Sequence, residues 1–97
     1  MENKYILELK RVALDFFKND EVRIILFGSR ARQDNYPSSD VDIGLIPYGK
    51  FEEKKIALFR EKLENLNVPY KVDVVNFSEV PQKLRKEGLS EAVIWKG

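Results

Sequence analysis

A chain of 97 residues, with 43% hydrophobic and 34% charged side chains, reads as one soluble globular domain spanning residues 1–97. Lys and Arg number 17 against 16 Asp and Glu, and this net charge of +1 excludes a protein whose main task is to coat nucleic acid or an anionic membrane. There is no Cys and no His, which excludes disulfides, zinc fingers, thiol nucleophiles, Ser-His-Asp triads and His-ligated metals. Chemistry is left to carboxylates, hydroxyls, Lys, Arg, backbone amides or a hard metal held by oxygen. The stretch from Met1 to Arg11 carries charges throughout, without a signal peptide's apolar core. The longest apolar runs are four residues, far too short to span a membrane. A cytoplasmic location is the expectation.

Ile6, Leu9, Ala13 and Phe16 recur at helical spacing and predict an amphipathic helix over residues 3–18. The polar pair Asn19-Asp20 ends it. Val22 to Phe27 is a short, β-branched apolar run that stops at Gly28, as a buried strand does. The polar stretch after Gly28-Ser29 allows a short helix over residues 30–34 but not past Pro37. Residues 40–46 alternate, with Val41, Ile43 and Leu45 on one side and Asp40, Asp42 and Gly44 on the other. A turn follows over 47–50. Phe51, Ile56, Phe59, Leu63 and Leu66 trace a second amphipathic helix. Residues 70–77 predict a third strand, with Val72 and Val74 on one face and Asp73 on the other. Ser78 reads as an N-cap and Pro81 as first-turn residue of a helix ending near Gly88. Residues 89–97 fit either a last helical turn or an edge strand, with Trp95 in the core. The order predicts an α/β (α+β) layer, a small sheet of about three strands with helices packed against it.

Three aspartates fall where strands should be, although Asp is disfavoured there. Asp40 and Asp42, two apart, leave the same face with Cα atoms roughly 6.6 Å apart. Asp73 stands beside them if the third strand neighbours the second. Such a cluster repels itself unless a cation neutralises it, and without His or Cys that cation is Mg²⁺ before any other. Two metal ions are the usual arrangement for phosphoryl chemistry on such a cluster. Singly, each Asp also reads as a turn, cap or solvent-facing residue. Gly28 lets the backbone approach a ligand closely. Ser29 opens the next helix, whose free N–H groups suit a phosphate. Arg30 and Arg32 follow in its first turn, fitted equally to a polyphosphate or to solvent.

Strand, Gly-Ser, ten residues, Asp-x-Asp in a second strand and a third Asp in a later strand resemble the polymerase-β-like nucleotidyltransferase superfamily. The matching segments are GSRARQDNYPSSDVDIGL and KVDVVNF, and GSRAR most resembles the minimal nucleotidyltransferases, the MNT family. Gln33 stands where many relatives have Gly, a departure that touches loop shape. The resemblance implies a polymerase-β-like core with a mixed sheet. It assigns Gly28 and Ser29 to the triphosphate, with Arg30 and Arg32 beside them. Asp40 and Asp42 go to both Mg²⁺ ions, and Asp73 to one of them. All three Asp are catalytic by the same resemblance. It implies transfer of a nucleoside monophosphate, AMP from ATP or another NTP, to a hydroxyl. It further implies an open site completed by a HEPN-type helical partner, whose Tyr is the acceptor in a toxin–antitoxin system. Nucleic acid is not expected as the direct substrate, and a homo-oligomer is left open. A non-catalytic antitoxin module and a two-subunit small-molecule nucleotidyltransferase also fit the sequence.

Overall fold

The computed structural model describes residues 4–28, Ala31 and 40–97. Three helices and four strands are formed along these segments. They are α1 (Lys4–Phe16), β1 (Val22–Phe27), β2 (Val41–Pro47), α2 (Lys54–Glu64), β3 (Val72–Asn76), α3 (Gln82–Ser90) and β4 (Val93–Lys96). A 3₁₀ turn, Phe77–Glu79, leads from β3 towards α3. The sheet order is β3-β2-β1-β4. β1 runs antiparallel to both β2 and β4, whereas β2 and β3 are parallel. The mixed sheet is thus as expected, with four strands where about three were predicted. The residues 89–97 supply the fourth, and it lies at an edge.

One face of the sheet carries the main core. Val22, Ile24 and Leu26 of β1 alternate inward, as do Val41, Ile43 and Leu45 of β2. Ile6, Leu9, Val12 and Ala13 of α1 and Ile56, Phe59 and Leu63 of α2 close over them. Each large apolar side chain taken out of water there contributes about 1.5–3 kcal/mol. Phe17 corrects the sequence reading, which placed Phe16 on the stripe. α1 ends at Phe16, so the following turn swings Phe17 fully into the core and leaves Phe16 half-buried. Phe17 then meets Phe59 and Phe51 at ring-centroid distances of 4.9 and 5.9 Å. Trp95 is buried in this core, as expected. Beside it Lys96 donates from Nζ to the carbonyls of Phe17 (2.8 Å) and Asp20 (2.5 Å), fastening β4 to the end of α1.

The opposite face is covered more thinly. A Cβ on Gly44 would lie 2.8 Å from both Ile25 Cγ1 and Phe77 Cε1, so Phe77 packs directly against the bare backbone of β2. Phe77 in turn meets Phe27 edge-on at 5.0 Å, and Gly88 of α3 sits over both rings. The start of α3 departs from expectation. Asn76, not Ser78, is the capping side chain, and its Oδ1 accepts from the Ser78 backbone N–H at 3.0 Å to hold the 3₁₀ turn. α3 begins only after Pro81, which occupies its cap position. No residue of α3 is fully buried.

Candidate active site

The site is built at the end of β1. Gly28, the first residue beyond that strand, has φ +77°, a left-handed conformation that costs an L-residue roughly 1–2 kcal/mol. A Cβ there would overlap the Asp42 carboxylate. Gly28 is therefore required twice, once by its backbone and once by the carboxylate resting on it. Its carbonyl accepts from the Ala31 N–H at 3.1 Å, and Ala31 is helical, so the chain turns directly out of the strand. Ser29, Arg30, Arg32 and Gln33 lie outside the described residues, as does the rest of the short helix expected at 30–34.

Register places two of the aspartates together. Asp42 pairs with Phe27 across β1–β2 and with Asp73 across β2–β3. Residues paired in this way share one face of a sheet, with neighbouring strands about 4.8 Å apart. Phe27, Asp42 and Asp73 thus form a row across three strands, with Gly28 at the Asp42 carboxylate. Asp42 and Asp73 are both half-buried, on the thinly covered face below Phe27 and Phe77. Asp40 is exposed and precedes β2 by one residue. It is not held in the ladder.

Could this arrangement hold a metal? Its donors are carboxylate oxygens, the chemistry of Mg²⁺ and not of a softer ion. Two of them are in register, and Asp40 stands two residues from Asp42 on an exposed segment. Among the described residues no three His, Cys, Asp or Glu side chains are gathered closely enough to hold an ion as they stand. The residue types and the Asp42–Asp73 pair fit a hard divalent cation. Asp40 would have to turn in.

A feature that no motif announces lies on the far side of Asp73. β3 is an edge strand, and a cleft of about 490 Å³ runs along it. Arg60, Glu64, Tyr70, Lys71 and Asp73 give the cleft its polar lining. Arg60 reaches from α2 and donates from Nη2 to the Val74 carbonyl at 2.7 Å. Its lining runs from α2 through the connection to β3, with Leu63, Leu66 and Val68 giving it an apolar floor on the α2 side of the sheet. No helix among the described residues is long and apolar enough to cross a membrane.

Comparison with known proteins bears on the whole of this arrangement. The family model described as polymerase beta, nucleotidyltransferase matches residues 13–96. A search of curated proteins found no significant match by sequence. Among solved structures, a toxin–antitoxin complex with AMP-PNP is similar at TM-score 0.68 and 18% identity, over 91% of this chain and 73% of that one. A complex of tri-AMPylated Shewanella oneidensis HEPN toxin with MNT antitoxin gives TM-score 0.64 and 17% identity, over 94% and 71% of the two chains. The MntA–HepT toxin–antitoxin complex gives 0.62 and 17%, over 94% and 72%. At such identities these structures establish a shared fold.

Proposed function

The chain belongs to the polymerase beta nucleotidyltransferase family, and from that premise we propose that it transfers AMP from ATP to a tyrosine hydroxyl of a HEPN-type helical partner, acting as an antitoxin of the MNT type. The observation that carries this reading is the Asp42–Asp73 pair, in register on one face of the sheet, with the left-handed Gly28 turn set against the Asp42 carboxylate. The similar complexes with AMP-PNP and with an AMPylated HEPN toxin support the choice of nucleotide and acceptor.

In this mechanism the turn after Gly28, with Ser29 and the following amides, holds the β- and γ-phosphates, and Arg30 and Arg32 offset their charge. Asp40, Asp42 and Asp73 would hold Mg²⁺, two ions in the full arrangement. When bound, the metal would supply charge neutralisation on the triphosphate and acidification of the acceptor hydroxyl. Asp73, at the end of the row, orients the tyrosine hydroxyl and takes its proton. The hydroxyl oxygen bonds to the α-phosphorus as the bond to the β-phosphate oxygen breaks, and pyrophosphate leaves on the Gly28 side. Placing the incoming and leaving oxygens on opposite sides of the α-phosphorus is the in-line geometry such displacements need.

Incubation of the protein with its HEPN partner, ATP and Mg²⁺, followed by mass spectrometry of the intact partner, tests this directly. Added AMP on a tyrosine that vanishes with Asp42→Asn is the expected result. If the wild type and Asp42→Asn neutralise the partner equally well without nucleotide, the protein is a non-catalytic binding module.

A further inference from the structure

We infer that the cleft beside β3 is a docking groove, and that it seats an amphipathic helix of the HEPN-type partner alongside α2. The inference rests on the reading of a helical partner above and names the surface which that partner uses.

The core itself shows where cover is missing. Leu66, Val68, Tyr70 and Val72 are half-buried, each packed on the core on one side and lining the cleft on the other. Among the described residues they are four of the seven partly buried apolar side chains on the core, so its open flank is concentrated at this one place. An apolar floor under polar walls is the form of a recognition groove. Geometry selects a helix as the occupant. The floor consists of side chains on the α2 side of the sheet, and Arg60 already holds the Val74 carbonyl at the edge of β3. An added strand would find part of that edge taken and would leave the floor uncovered. α1 and α2 lie side by side on this face, with Phe16 stacked on Phe59 at 5.4 Å. A third helix beside α2 continues that layer at the usual spacing of about 8–10 Å. Residues 70–74 run along roughly 13 Å of the cleft, about two and a half turns of helix.

Charge then fixes the chemistry of that helix. Glu64 stands on the α2 wall of the cleft and Lys71 at the head of β3 on the other. Both are exposed, and neither makes an ion pair among the described residues. The complementary helix carries apolar residues at i, i+3, i+4 and i+7. A basic residue flanks that stripe towards Glu64 and an acidic one towards Lys71. A helix laid in with the opposite order of signs meets like charges on both walls, so the pair selects orientation as well as partner. Position gives the docking its use. Side chains alternate along β3, so the Asp73 carboxylate faces away from the floor made by Val72 and Val74. A protein seated in the cleft stands at the edge of the sheet, one strand from Asp42, and can reach round that edge with its hydroxyl.

Methyl-labelled NMR of the intact chain with its intact HEPN-type partner, in the absence of nucleotide, tests the inference. Saturable shifts and intermolecular contacts are expected at the methyl groups of Leu66, Val68 and Val72. The partner's contact stretch should show helical Cα shifts. Lys71→Glu and Glu64→Lys, both at exposed positions that leave the core untouched, should each weaken binding at least about tenfold. Lys83→Glu on α3 should leave binding unchanged. Contacts confined to Leu84, Leu89 and Ile94 would overturn the proposal, as would extended shifts in the partner's contact stretch. Wild-type affinity in both charge variants, or no complex at all, would overturn it equally. Addition of ATP and Mg²⁺ to the same sample separates the two readings. A complex at the cleft without AMP on the partner keeps the groove and rejects the transfer, whereas AMP transfer without contacts at the cleft does the reverse.

Discussion

Two carboxylates placed side by side cost stability, and nothing about the core requires them. Asp42 and Asp73 are opposite one another in a parallel pair, where like charges are destabilising by a few tenths to about 1 kcal/mol. Asp73→Asn should therefore leave the metal-free protein as stable or raise its stability by up to about 1 kcal/mol, measured by urea unfolding. A clear loss would make Asp73 a structural residue. Mg²⁺ should raise the melting temperature of the wild type by mass action and raise that of Asp73→Asn less. Gly28 makes the opposite kind of demand. Gly28→Ala should lower stability by roughly 1–2 kcal/mol from its backbone alone. It should also cut transfer by more than that loss explains, because the new methyl displaces the Asp42 carboxylate. Unfolding curves and initial rates on the same preparations separate the two effects.

At the level of elements, the thin layer of the 3₁₀ turn and α3 is the part of the fold most sensitive to a single atom. Gly44→Val would drive a side chain into Ile25 and Phe77, an overpacking worth about 1–3 kcal/mol. The expected sign is faster hydrogen exchange across α3 with α1 and α2 unchanged. Lys96 is the corresponding fastening on the other side. Lys96→Met should cost about 1.5–3 kcal/mol by removing charge-assisted bonds to the Phe17 and Asp20 carbonyls, read by urea unfolding. These elements also mark what the sequence discloses. β1 is legible to the residue, because an apolar run bounded by Asp20 and Gly28 has few alternatives. The start of α3 is not. Ser78 has the right chemistry for a cap, but it sits inside the 3₁₀ turn that Asn76 caps, and α3 begins after Pro81 with no side-chain cap. Phe51 and Leu66 continue the α2 stripe in sequence yet lie outside the helix, half-buried against the core. Apolar spacing reports burial better than helix ends. β4 is four residues long, too short for period two to be told from a helical turn.

Over the whole molecule, function depends on strand order, which local spacing carries least. Asp40 and Asp42 are close because they are two residues apart. Asp73 joins Asp42 only because β3 lies parallel to β2. The family resemblance picks out Gly28, Asp42 and Asp73, which register and the Gly28 turn bring together, whereas Asp40 stands outside the ladder and Ser29 outside the described residues. In the proposed reading, Gly28 and the Asp42–Asp73 pair act together at one place on the sheet. The most direct test of the proposed function is the initial rate of AMP transfer to the proposed HEPN-type partner by wild-type protein and by Asp42→Asn, with circular dichroism on both. The account predicts a fall of at least about 10³-fold, near 4 kcal/mol of transition-state stabilisation, with the fold intact. Transfer by folded Asp42→Asn at close to the wild-type rate would contradict it.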